Sequence, residues 1–488
     1  MTLTETAPTR PQLEPGRLFV GGTWTAAADG GRTDVLDPAT GEVVTTVAEA
    51  GAADVDAAVA AARAAFPAWR ATPAPERSRI LLRVAALIRE NAAEIAAVES
   101  LDVGKPISLA TAVDVETAAD TYEYYAALAR TTAGEHRSVG VPAHAYTIRE
   151  PLGVVAAITP FNFPLILSST KLAPALAAGN TVVHKPAEDT PLSALLMARI
   201  LAEAGVPDGV VNVVTGLGAV AGDALLHHPH VDGVAFTGST AIGRKAAVAA
   251  AERLVPATLE LGGNGAQIVF EDADLDGAVG AAIKAFVFNT GQFCMAGPRL
   301  LVARPLYDTV LGILAQAVPG VPVGDPFDPG TVVGPLAGAK HRDKVAEYVQ
   351  QAIADGGTVV AGGSAVEGPG FFHQPTVVAG LPADSRVVTE EVFGPLLTVQ
   401  PFDTESEAVA LANGVAQGLA AGLHTRDVAR AHRVAAQLDA GIVWVNDWAM
   451  LDSAMPFGGV KASGHGRENG PEGLLAYTRT KSVLISLA

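Results

Sequence analysis

The sequence predicts an α/β protein built on two doubly wound units, each with a parallel sheet. From residue 154 onward, apolar runs of strand length alternate with helical stretches, and a second alternation of the same kind begins after Leu259. Strand, helix and strand in succession imply crossover connections that lay parallel strands side by side. With 488 residues, 49% of them hydrophobic, the chain exceeds one simple core and fits two or three domains.

Residues 1–15 are polar and Pro-rich, lack the basic start and apolar stretch of a signal peptide, and are expected to form a flexible leader. Residues 18–24 and the turn-rich Asp37-Pro-Ala-Thr-Gly41 predict short strands, and the Ala-rich stretch 53–125 predicts helices. The first alternating unit places strands at 154–159, 181–184, 209–214 and 233–237. The second places them at 266–270, 300–303 and 442–445, with an irregular loop at 324–330 where turn formers crowd together. Residues 482–486 read as a last strand. The most apolar region, 151–183, is interrupted by Asn162, Pro164, Lys171, Pro174 and Asn180, so it predicts buried core rather than a membrane span of about 20 residues.

The 33 Lys and Arg against 51 Asp and Glu leave a net charge of −18, without a basic block. That balance argues against nucleic acid and anionic membrane as partners. One cysteine cannot make an internal disulfide, so a cytoplasmic setting is expected and any thiol chemistry centres on Cys294.

Several segments carry chemistry. A lone cysteine is most often a small buried hydrophobe. Cys294, however, sits in Asn289-Thr-Gly-Gln-Phe-Cys-Met-Ala-Gly-Pro-Arg299, where Gly291 and Gly297 permit close backbone approach and nearby N–H groups or a cofactor cation would favour the thiolate. Glu260 lies between apolar residues before a glycine pair, a setting that raises a carboxyl pKa and suits a general base. Asn162, in Thr159-Pro-Phe-Asn-Phe-Pro164, puts an amide donor on a rigid turn, as an oxyanion site requires. Phe236-Thr-Gly-Ser-Thr-Ala-Ile-Gly243 closes a strand and opens a helix whose free N–H groups could meet a phosphate, although it departs from the usual G-x-G-x-x-G pattern. His184-Lys-Pro-Ala-Glu188 adds a cation and a carboxylate at another strand end.

Together these segments, with Glu390-Glu-Val-Phe-Gly-Pro395 and Pro456-Phe-Gly-Gly-Val-Lys-Ala-Ser-Gly-His-Gly-Arg-Glu468, resemble the aldehyde dehydrogenase superfamily from about residue 18 to the C-terminus. The resemblance implies an aldehyde dehydrogenase-like fold: two doubly wound α/β domains plus a small oligomerisation sheet. By it, residues 16–130 and 151–258 form an NAD-binding domain and 259–445 a catalytic domain. Residues 131–150 and 472–488 form the oligomerisation sheet of a homodimer or homotetramer, and 446–471 line the cleft. It further implies that Cys294 attacks the aldehyde, that Asn162 and the Cys294 backbone N–H stabilise the oxyanion, and that Glu260 activates water to hydrolyse a thioester. Lys171 and Glu468 would support proton movement. The cofactor NAD would lie against Ile158, Thr159, Pro160, Lys185, Glu188, Gly218, Gly222, Phe236, Gly238, Ser239, Gly243, Glu391 and Phe393. Glu188 favours NAD over NADP, because a carboxylate accepts from a 2′-hydroxyl and repels a 2′-phosphate. No metal is expected.

The same resemblance assigns the substrate tunnel to Phe163, Leu167, Thr170, Phe293, Met295, Trp448, Ala449, Leu451 and Phe457, with Tyr122 or Tyr125 as further members. None is charged. Thr170 stands where many relatives have a bulky tryptophan and Ala449 where they have a larger or acidic residue, which implies a widened pocket for aromatic or hydrophobic aldehydes. The run Arg149-Glu-Pro-Leu-Gly-Val-Val and the ending Phe-Gly-Gly-Val-Lys-Ala-Ser-Gly look similar to benzaldehyde and vanillin dehydrogenases. The alternatives are a CoA-acylating enzyme, a betaine or aminoaldehyde substrate, and a silent binding homologue.

Overall fold

A computed structural model describes residues 9–487; of the expected leader, residues 1–8 lie outside that range. Two large sheets organise the chain. The first has eight strands in the spatial order Thr23–Thr25, Leu18–Val20, Val211–Val213, Thr181–Lys185, Val154–Ile158, Gly233–Thr237, Ala257–Glu260 and Gly464–His465. Its five central strands are parallel. Val154–Ile158, Thr181–Lys185 and Gly233–Thr237 are buried at every position; the first and last read as mainly apolar runs, while Thr181–Lys185 ends in His184 and Lys185, which bond Thr159 and Glu188. The order reverses direction between Val154–Ile158 and Gly233–Thr237, so a ligand crevice is expected outside their carboxyl ends.

The second sheet has seven strands in the order Thr358–Ala361, Thr376–Ala379, Leu396–Phe402, Arg299–Ala303, Ala266–Val269, Ala420–His424 and Ile442–Val445. All neighbours are parallel except the first pair. Four of these strands, Thr358–Ala361, Thr376–Ala379, Leu396–Phe402 and Ala420–His424, escape the sequence reading. Ala420–His424 consists mostly of small residues of low strand propensity, and tertiary packing overrides that preference, with Gly422 facing the indole of Trp448.

The helical stretch divides at Pro73 and at Asn91 into Ala52–Ala71, Ala74–Glu90 and Ala92–Val103, the last ending at Gly104, whose φ of +79° suits a helix terminus. It then continues through a wider π turn, Ala110–Val115, into Glu116–Ala129. A third sheet is antiparallel, with Ala143–Pro151 between Thr478–Ser486 and the short His136–Arg137.

Two expected boundaries shift. Strand Ala257–Glu260 belongs to the first sheet, beyond the limit at 258, and Gly464–His465 takes the cleft-lining segment into that sheet as its last strand. Among the described residues no helix is long and apolar enough to cross a membrane.

Candidate active site

The carboxyl edge of the first sheet faces the amino edge of the second. Three connected cavities lie along this junction. A trench of about 450 Å³ runs from Lys185 and Glu188 to Gly238 and Ser239. It shares Pro160, Phe161, Thr237, Gly238 and Ser239 with a middle chamber of about 210 Å³ that reaches Glu260, Cys294, Glu391 and Phe393. Cys294 also closes the inner side of an outer cavity of about 320 Å³. The thiol therefore stands where two spaces meet.

The loop carrying Cys294 is held tightly. It leaves helix Leu275–Val287 through Asn289 and Thr290, whose φ values of +49° and +58° are left-handed and rare for side chains other than glycine. Compensating bonds fix that geometry: Asn289 Nδ2 donates to the carbonyls of Asn162 (2.9 Å) and Gln292 (3.1 Å), and Thr290 Oγ1 donates to Gly334 O (3.1 Å). A Cβ at Gly291 would lie 2.2 Å from the Gly394 carbonyl, and one at Gly263 would lie 2.2 Å from the Cys294 carbonyl oxygen. Gly297, expected near the sulfur, instead makes room for the side chain of Gln267.

Asn162 is buried and donates from Nδ2 to Gln292 O at 2.9 Å, which fixes the amide and leaves its second N–H for another acceptor. Glu260 is buried too, with the backbone N–H of Gly459 acting on its carboxylate and no side-chain hydrogen bond to either oxygen. Burial, reinforced by Glu468, holds its pKa well above the carboxylate range against the pull of Lys171 and Arg467. Lys171 Nζ lies 2.5 Å from Glu468 Oε1 and donates to Thr237 Oγ1 at 2.5 Å, while Thr170 Oγ1 donates to Glu468 Oε2 at 3.2 Å.

The expectation of an acidified thiol meets a correction. Burial pushes Cys294 up to about 12, and the carboxylates of Glu391 and Glu260 act in the same direction against the Met295 N–H. In the chain alone the thiol keeps its proton. Glu391 is itself pushed by burial up to about 7, while accepting from Gly263 N at 2.9 Å.

Ile158, Thr159, Pro160, Lys185, Glu188, Gly218, Gly222, Phe236, Gly238 and Ser239 line the trench. Lys185 Nζ (3.2 Å) and Gly218 N (3.3 Å) donate to Glu188. Although burial opposes them, these contacts hold Glu188 below its ordinary pKa. Gly243 is not in the lining. Its N–H is spent on Ser239 O at 2.9 Å, and its missing Cβ admits Leu261, so it serves helix packing. Sequence reasoning missed His341 and Lys344 in the middle chamber, which come from helix Ala339–Ala354. His341, kept neutral by burial at about 4, hydrogen-bonds the Phe393 carbonyl at 2.6 Å. No motif marks either residue.

The outer cavity is walled by Phe163, Leu167, Thr170, Phe293, Met295, Ala449, Leu451 and Phe457. Trp448 lies behind the wall, fully buried, and its indole N–H donates to Met295 O at 2.9 Å. Tyr122 and Tyr125 also lie behind it, Tyr125 Oη donating to Gly470 O at 3.3 Å. Unforeseen wall residues are Ala112, Val113 and Thr117, brought in by the π turn and the helix after it. The expectation of an uncharged pocket also fails, because Glu468 and Lys284 belong to the lining.

Residues 24–483 match the model of the aldehyde dehydrogenase family. The fold is also that of solved structures. PnpE from Pseudomonas sp., solved with nicotinamide adenine dinucleotide, is 45% identical over 97% of this chain and 98% of its own, with a TM-score of 0.95. The NAD+ complex of an aldehyde dehydrogenase from Bacillus cereus is 41% identical over 97% of both chains, with a TM-score of 0.96. A point mutant of betaine aldehyde dehydrogenase from Staphylococcus aureus, in complex with NAD+, is 38% identical over 96% of this chain and 97% of its own, at a TM-score of 0.95.

Proposed function

The chain belongs to the aldehyde dehydrogenase family, and from that premise we propose that it is an NAD-dependent enzyme oxidising an aromatic or hydrophobic aldehyde to its carboxylic acid through Cys294. One observation carries the reading. Cys294 joins an apolar cavity to the chamber lined by Asn162 and Glu260, and no side chain occupies the Glu260 carboxylate.

The trench suits NAD. It opens at the switch point of the first sheet, beside the N-terminus of helix Thr240–Glu252, where backbone N–H groups and Ser239 favour a pyrophosphate. Glu188, oriented by Lys185, can accept from ribose hydroxyls, and with Asp189 and Asp223 it would repel a 2′-phosphate. Glu391 would take the nicotinamide ribose, with Phe393 beside the ring.

Catalysis divides among few groups. Burial first, and then the carboxylates of Glu391 and Glu260, keep the thiol protonated; a cation held in the middle chamber would act against both and favour the thiolate. Cys294 Sγ then bonds to the aldehyde carbon, and the free N–H of Asn162 with the Cys294 backbone N–H meets the oxyanion. Bound NAD supplies the hydride acceptor that turns this adduct into a thioester. Glu260 takes a proton from water, the water oxygen attacks the thioester carbon, and the acid leaves with the thiolate restored. Lys171 and Glu468, behind Glu260, support proton movement.

The test is NADH absorbance with an aldehyde panel in the absence of CoA. Turnover of hydrophobic aldehydes is expected, with none in Cys294→Ala, and Glu260→Gln should slow the steady state more than the first burst of NADH. Strict dependence on CoA, or the highest kcat/KM with betaine aldehyde, would overturn the reading.

A further inference from the structure

Of the residues lining the outer cavity, two are charged. Glu468 is neutralised by Lys171 and bonded by Thr170. Lys284 has no carboxylate within ion-pair distance among the described residues. Its Nζ donates to Trp448 O at 3.2 Å, which holds the ammonium beside Ala449, itself part of the wall. An ammonium has three donors, so two remain.

The helix explains the placement. Lys284 and Phe288, just past the end of the helix, both line the cavity, while Ala281 and Ala285 pack into the cluster that includes the wall residues Phe163, Phe293, Met295 and Phe457. Lys284 is exposed and Cys294 is half-buried, so the cation marks the mouth of a passage whose inner end is the nucleophile. Between them the lining is mostly aliphatic and aromatic.

We propose that Lys284 is a specificity-determining residue that selects aldehydes carrying an anionic group, a carboxylate above all, at the end remote from the carbonyl. The inference rests on the assignment of this cavity to the aldehyde. A substrate whose carbonyl reaches Cys294 leaves its distal end at the mouth, where an unpaired ammonium attracts a carboxylate and repels a quaternary ammonium. On a molecule of net charge −18, which disfavours anionic solutes in general, a local cation at the entrance decides which of them enter.

The experiment uses the full chain with NAD and four aldehydes: benzaldehyde, 4-formylbenzoate, the longer 4-formylcinnamate, and betaine aldehyde. Wild type should have a higher kcat/KM for at least one carboxylated aldehyde than for benzaldehyde. In Lys284→Met that ratio should fall about tenfold, chiefly through KM, and Lys284→Arg should restore it. Added salt should shrink the wild-type preference and leave that of Lys284→Met as it is. Turnover of benzaldehyde with the same ratio in wild type and Lys284→Met overturns this inference alone. Absence of NADH from all four aldehydes overturns the assignment of the cavity, and this inference with it.

Discussion

Glu260 is a base that holds its proton more tightly than an ordinary carboxyl group. Burial and the nearby Glu468 keep its pKa above the ordinary carboxylate range, and only the unprotonated form can accept a proton from water. The fraction of working base therefore rises with pH and is lost on acidification. Steady-state turnover limited by deacylation should climb with pH above the usual carboxylate range, and in Glu260→Gln the residual rate should lose that limb; a kcat profile across neutral pH checks both. The residues of this chemistry were legible in the sequence because each stands in a short, compositionally odd segment: an amide between prolines, a carboxylate before a glycine pair, a thiol in a loop of small residues. Trp448 and Gly243 lie outside the cavity linings, a placement no short segment reveals. Whether a side chain faces the cavity or its back depends on packing, and Trp448 turns inward to bond Met295 O.

At the level of elements, the loop from Asn289 to Cys294 is wedged between two glycine contacts and stitched to Asn162 by Asn289. Gly263→Ala would drive a methyl into the Cys294 carbonyl, a clash with backbone that no rotamer change relieves. We expect a loss of about 1–3 kcal/mol in stability from overpacking. A fall of about a hundredfold or more in kcat/KM should accompany it, since a shift of about 1 Å at a reacting group costs that much. Thermal unfolding and steady-state kinetics on the same preparation separate the two effects. Four of the five parallel strands of the first sheet were readable from their apolar cores; Ala257–Glu260 was not. Helices that supply cavity wall, such as Glu116–Ala129 with Thr117, were readable as helices but not as wall, because amphipathic spacing tells which face is buried and not against what.

At the scale of the whole molecule, the third sheet lies apart from the chemistry, and its edge strand Thr478–Ser486 exposes Leu484 and Ile485. Such an edge invites another chain. We expect copies to assemble through this sheet, so that a Leu484→Asp, Ile485→Asp double variant lowers the mass measured by light scattering toward that of one chain; an unchanged mass would exclude the sheet as the contact. The eighth strand of the first sheet carries a different consequence. Gly464–His465 pairs with Ala257–Glu260, the strand that ends in the catalytic base, although it arrives near the end of the chain. During synthesis that sheet has a raw edge until almost every residue has left the ribosome, and closing it is a long-range event of the slow kind. A chain that ends before Gly464 leaves the strand of the base without its outer partner, so in such a truncation turnover should fall further than NAD binding, as parallel kinetics and cofactor titration would show.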